Sequence, residues 1–265
     1  MKYIFLIFIH YLFITSSFAL QVEPEIGLRL EFQIDEDFLI CHTLSKVTDR
    51  PFTGTVMNFR KEIMNQFPEE IKFLSGVYEL TPSFIFKEHL RLEKMLKAAR
   101  VFSSYPQLLA EAKTHLEQTR SEWTSNYERT FSFMTSLTKL KMSKTIKVLI
   151  THPEVFQGRY LEGNVIAWGR KSNWKNYSTV YLWHEILHSY LKYNNKTHAL
   201  MELVTDDSLR VFLNGGTFPP FSDDGHEKLK QKKQWIYDHY WKAYLANNSK
   251  NILQLEDDLI KDLRF

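Results

Sequence analysis

The stretch His184-Glu185-Ile186-Leu187-His188 constrains this chain more than any other. It lies within Ser178 to Leu191, a run without Gly or Pro in which Val180, Leu182, Trp183, Ile186, Leu187 and Leu191 surround the two histidines. Such a run predicts an uninterrupted helix, apolar on most sides and therefore buried. Side chains four residues apart on a helix lie one above the other, so His184 and His188 can reach a single ion. Neutral imidazole is a good zinc ligand, and a catalytic zinc keeps one coordination position open. Glu185 stands about 100° around the helix, beside that position, where a general base belongs.

A metal held by two histidines needs a third protein ligand, commonly His or a carboxylate. The first helix is expected to end near Asn194-Asn195, and a second to begin at Thr197, which can cap it. His188 and Glu202 are then similarly offset from the bend, which makes Glu202 the expected third ligand. Asp206 falls one turn beyond Glu202 and can accept the outer N–H of a metal-bound histidine. Asp207 is expected to point about 100° away from Asp206. His198 is a further candidate ligand, ranked below Glu202 because it sits so close to the bend.

The combination of His184, Glu185, His188, Glu202 and Asp206 resembles the gluzincins, a clan of zinc metallopeptidases, over roughly the C-terminal half of the chain. The resemblance implies Zn²⁺ on His184, His188 and Glu202, with Glu185 activating water. The spacer from His188 to Glu202 is shorter than that clan usually has. A metzincin extension would need Gly and His where this chain has Leu191 and Asn194. A variant with Asp206 on the metal stays open. Gluzincin-like enzymes hold the substrate backbone on an exposed edge strand before the zinc helix. The resemblance assigns that role to Val165, Ile166, Ala167 and Trp168, with an ordinary edge strand as the alternative. It also implies a His or Tyr beyond the glutamate that hydrogen-bonds a developing oxyanion. His226, Tyr237, His239 and Tyr240 are candidates, of which His239 and Tyr240 are carried as catalytic residues.

The rest of the chain supplies context. Residues 1–19 read as a signal peptide: Lys2, an apolar run from Ile4 to Ile14, and small residues at Ser17 and Ala19. The run is short for a membrane span. Cys41 is the sole cysteine, so no intrachain disulfide can form. The formal charge of +3 is nearly balanced for 265 residues, which argues neither for nucleic acid nor for an anionic membrane as partner. Residues 20–142 are expected to be mainly helical after a strand at 26–34. Helices are expected at 35–40, 59–67 and 69–78, from Pro82 to Ala99, and from Pro106 as one long helix or two. Residues 143–265 are expected to form the catalytic domain. Strands are expected at 145–150 and 163–169, Gly158 and Gly163 mark a turn, and helices follow at 226–246 and 253–263. Three Asn-x-Ser/Thr sequences begin at Asn176, Asn195 and Asn247.

These readings define an α+β protein: a helix-rich N-terminal region, then a zincin-like domain with a small sheet and an active-site helix. The expected function is that of an exported zinc-dependent metallopeptidase, periplasmic or secreted, acting on a peptide or protein. No nucleic-acid partner and no membrane span after leader removal are expected. The alternatives are a non-catalytic zincin-like binding module and a helical interaction protein.

Overall fold

The computed structural model describes residues 27–45, 52–155, 157–171, 174–192, 194–216, 227–247 and 249–262. The expected leader at 1–19 and the candidate His226 lie outside the described residues. Within them the protein is helix-rich around one small mixed sheet, an α+β arrangement. The strands are β1 (Arg29–Gln33), β2 (Thr145–Ile150), β3 (Gln157–Leu161) and β4 (Val165–Gly169). Their order across the sheet is β1-β2-β4-β3, with β1, β2 and β4 parallel and β3 antiparallel to β4. The N-terminal region thus supplies an outer strand of the sheet that precedes the histidine-bearing helix.

Alternation along β2 and β4 separates two apolar layers. Ile146, Val148, Ile150, Ile166 and Trp168 face the core that contains the histidine-bearing helix. Leu149, Val165 and Ala167 face the other core, built by the N-terminal helices. That alternation is the period-two pattern of a strand, and a parallel sheet covered on both faces is expected to be apolar throughout. The helices of the N-terminal core are α1 (Glu36–Ser45), α2 (Gly54–Met64), α3 (Pro68–Ser75), α4 (Pro82–Lys87) and α5 (His89–Ala99). The single helix expected from Pro82 to Ala99 is therefore broken at Glu88, where ψ rises to 8°. The long stretch after Pro106 is one helix, α6 (Tyr105–Thr138), of 34 residues. Its first turns pack Tyr105, Leu108 and Ala112 into the N-terminal core. Leu116, Trp123 and Met134 pack into the other, so α6 joins the two layers.

After the sheet come α7 (Tyr177–Leu187), α8 (Asn195–Glu202), a π-helical segment Leu203–Leu209 and α9 (Arg210–Asn214). Next are α10 (Glu227–Ile236), a second π segment Tyr237–Trp241, α11 (Lys242–Asn247) and α12 (Ile252–Lys261). Among the described residues no helix is long and apolar enough to cross a membrane.

One expectation about the sheet is corrected. Val165, Ile166, Ala167 and Trp168 do not form an exposed edge: β4 is buried along its length and lies between β2 and β3. The edge is β3, in a stretch where Gly158 was expected to mark a turn. The actual turn of the β3–β4 hairpin places Gly163 at φ 76° and Asn164 at φ 58°, which these two residue types tolerate best. Gly158 serves a different purpose. A Cβ there would come within 2.6 Å of the Trp168 ring, so only glycine lets the edge strand lie this close to its neighbour.

Candidate metal centre

Helix α7 is buried from Tyr177 to Leu187, as its apolar pattern requires. Its first turn is anchored by α6: Thr179 donates its backbone N–H to the Glu122 carboxylate at 2.7 Å. The helix stops at Leu187, well before the expected end at Asn194, and His188 is its C-cap. Asn194, rather than Thr197, caps α8, its side-chain oxygen accepting the N–H groups of Lys196 and Thr197 at 3.0 Å each. The bend between the helices is held from a distance. Glu256 of α12 accepts the backbone N–H of Lys192 at 2.6 Å and the Thr197 hydroxyl at 3.0 Å.

The longer bend changes which side chain meets the α7 histidines. His198, in the first turns of α8, packs against both: its ring centroid is 5.0 Å from that of His184 and 5.5 Å from that of His188. One ring nitrogen from each of His184, His188 and His198 falls in a group whose members all lie within 4.8 Å of one another. Among the described residues this is the one group of three or more His, Cys, Asp or Glu so arranged, and it could hold a metal ion. Glu202 lies one turn further along α8, its Oε1 3.9 Å from Nε2 of His198. It stands next to the third histidine and outside the convergent group.

Asp206 approaches His184 as expected, with Oδ1 3.9 Å from Nδ1. Thr205 comes closer, its hydroxyl 3.4 Å from the same nitrogen and 3.1 Å from Oδ1 of Asp206. Asp207 is not turned outward. The segment Leu203–Leu209 is π-helical and buried on most sides, so a residue rotated away from Asp206 still faces protein. Asp206 and Asp207 are both buried there, and Asp207 meets Lys233 of α10 at 3.3 Å. The same lysine reaches Glu202 Oε2 at 3.5 Å.

Glu185 is also buried. Its Oε2 accepts the backbone N–H of Tyr160 at 2.7 Å, so that N–H of the edge strand faces Glu185 and not β4. A Cβ at Gly158 would lie 3.5 Å from its Oε1. Burial pushes Glu185 up to about 7, against the pull of the Tyr160 N–H and of Arg170 and Arg159. Burial, with help from Asp206, pushes Glu202 up to about 7, and burial raises Asp206 and Asp207 as well. His188 is pushed down to about 4 by burial, with His198 and Arg159 adding to the effect. Its ring is therefore neutral at pH 7, the form that ligates metals.

Those displacements bear on whether a cation fits. Glu185, Glu202, Asp206 and Asp207 are buried together, and Lys233 is the lysine paired with two of them. Every one is raised, with burial the largest cause in each, and a nearby cation favours the charged form of a carboxyl. The donor set and its electrostatics fit a metal ion.

The remaining expected residues sit elsewhere. Tyr240 donates its hydroxyl to Asp262 just beyond α12. His239 stacks on Trp235 and places Nδ1 2.8 Å from its carbonyl. Sequence reasoning passed over Lys233, one of several lysines in α10 with no local mark of burial. It also passed over Arg170, directly after β4, which lies over the rings of Tyr177 and Tyr181 on α7.

Compared with known protein families, with curated proteins and with solved structures, the chain matches none of them.

Proposed function

We propose that this protein is a zinc-dependent hydrolase of the peptidase type, with zinc held by His184, His188 and His198 and Glu185 as general base. The observation that carries the reading is the convergence of the three ring nitrogens within 4.8 Å, with Glu185, next to His184 in the chain, outside that group. A purely structural site has no need of such a base. Three histidines that leave a fourth position open are also a recognised catalytic donor set for zinc. When bound, zinc would polarise a scissile carbonyl and make water easier to deprotonate at neutral pH.

The chain's own groups account for the rest. Glu185 carries the carboxylate that would take a proton from water and pass it to the leaving amine. The Tyr160 N–H fixes one of its oxygens. Thr205 and Asp206 lie behind His184 and can orient its ring, as groups around metal-binding histidines do. Glu202 stands beside His198 in the same capacity, which replaces its expected place on the metal. The backbone of β3 takes over the substrate-holding role from Val165–Trp168, because β3 is the open edge and adjoins Glu185. A peptide laid along that edge would add a strand to the sheet. Export belongs to the same reading and rests on the apolar run from Ile4 to Ile14.

The test is elemental analysis of the purified protein together with cleavage of a mixed peptide pool. The reading expects about one zinc per chain and hydrolysis that a chelator stops. A protein that binds no metal after incubation with zinc would remove its foundation. One that binds zinc tightly but leaves every peptide intact would favour a non-catalytic module.

A further inference from the structure

A second polar site lies away from the histidine triad, between α6 and the short 3-10 turn Pro153–Val155 that follows β2. A cavity of about 440 Å³ opens there, and Glu111, His115, Thr119, Glu122, His152 and Glu154 are among its walls. Ser178, in the first turn of α7, also borders it.

Three of those walls carry polar atoms whose hydrogen-bonding capacity is unused. His115 Nε2, Thr119 Oγ1 and Glu154 Oε2 are buried with no hydrogen-bond partner. Both residues are buried in the wall, His115 at 5% exposed and Thr119 at 1%. Buried polar atoms are nearly always paired, and each exception calls for a reason. His152 differs from its neighbour. Its Nε2 is 2.8 Å from Glu111, and its Nδ1 accepts the Glu154 N–H at 3.2 Å. Both nitrogens are engaged, so His152 shapes the wall and leaves the unmet capacity to His115, Thr119 and Glu154.

The chemistry of the walls selects the ligand. Three carboxylates, Glu111, Glu122 and Glu154, face one lysine, Lys171, which disfavours an anion. A carboxylate oxygen can only accept, so the ligand must donate. A bare metal ion fits poorly, because His, Asp and Glu donors converge tightly only at His184, His188 and His198 among the described residues. The space also exceeds that of an ion and suits a small organic molecule. Burial pushes His115 down to about 4, with His152 nearby adding to the shift. Its ring is therefore neutral at pH 7 and does not repel a cation.

We propose that this cavity is a binding site for a small primary ammonium compound, with Glu111 and Glu154 as its charged acceptors and His115 and Thr119 as neutral partners. An ammonium head brings three N–H donors and no acceptor, which suits the carboxylates, while the Thr119 hydroxyl and the unprotonated nitrogen of His115 can accept as well. The site does not depend on the metal centre.

Calorimetric titration of the full-length protein with n-butylammonium, and in parallel with n-butanol, tests the assignment. The ammonium should bind saturably with one site per chain, about tenfold or more tighter than the alcohol, as charge-assisted hydrogen bonds require. Glu154→Gln should weaken it by about the same factor, and Lys171→Met should tighten it by removing the competing cation. Glu111 also bonds Thr55 and Gln107, so Glu111→Gln is read only if circular dichroism shows it folded. Glu154→Gln carries the test in any case. His184→Ala should leave the affinity unchanged. Equal affinity for amine and alcohol, no saturation, or binding indifferent to Glu154→Gln would overturn the proposal.

Discussion

Two histidine groups sit in one chain, and the contrast between them separates a depressed pKa from ligand geometry. His188 beside α8 and His115 on α6 are both pushed down to about 4, with burial as the main cause in each. By that measure they are equivalent. They differ in what surrounds them. His188 joins His184 and His198 with ring nitrogens within 4.8 Å. His115 has a histidine neighbour whose two nitrogens are already committed to Glu111 and to the Glu154 backbone. A depressed histidine is therefore no sign of a metal ligand. Convergence of several ring nitrogens on one point is what could hold an ion.

The contrast breaks most visibly at the metal. His184→Ala, His188→Ala and His198→Ala should each lose tightly held zinc and, with it, essentially all hydrolysis. His115→Ala should keep the metal, as should Glu202→Gln, since Glu202 stands outside the convergent group. Elemental analysis after dialysis reads this directly. Zinc retained by His198→Ala and lost by Glu202→Gln would restore the carboxylate as third ligand.

Glu185→Gln separates holding a metal from using it. The amide keeps the size of the side chain and can still accept the Tyr160 N–H, but it cannot take a proton. Zinc content should be unchanged, while turnover of any peptide cleaved by the parent should fall by roughly 10²–10⁴-fold. Undiminished turnover would mean that another group is the base.

Gly158→Ala probes the edge strand on which the first site depends. The added methyl would meet the Trp168 ring at 2.6 Å, and forced overpacking of this kind costs about 1–3 kcal/mol. A lowered urea midpoint with an unchanged slope is the expected result. An unaltered midpoint would show that β3 stands further from β4.

The effect confined to the second group is a pH dependence. His115 has its folded-state value depressed to about 4 from the ordinary 6.5. Between those values the unfolded chain binds more protons than the folded one, so stability falls as pH drops from about 6.5 towards 4 and levels off below. His115→Leu should flatten that fall by on the order of 1–3 kcal/mol, measured by denaturant titration at several pH values. An equally steep fall in the variant would assign the dependence to other groups, such as His152, which burial also lowers.

The parts legible in the sequence are those that short-range spacing controls. An apolar run without Gly or Pro makes α7 a helix, and the four-residue interval aligns His184 with His188 whatever lies around them. The period-two pattern marks β2 and β4 for the same reason, since side-chain direction along one element follows from its own repeat. The third member of the triad depends on something else. It is set by where α7 stops and α8 starts, and Glu256, far along the chain, holds that bend through Lys192 and Thr197. Likewise β3 becomes an edge only because it folds back on β4, and Asp207 is buried because its segment is covered on most sides and Lys233 of α10 meets it there. No local pattern encodes those contacts. The sequence by itself determined which residues could hold and use a metal; the tertiary structure decided that His198 joins His184 and His188, because ligand convergence is a distance between elements and not an interval along one.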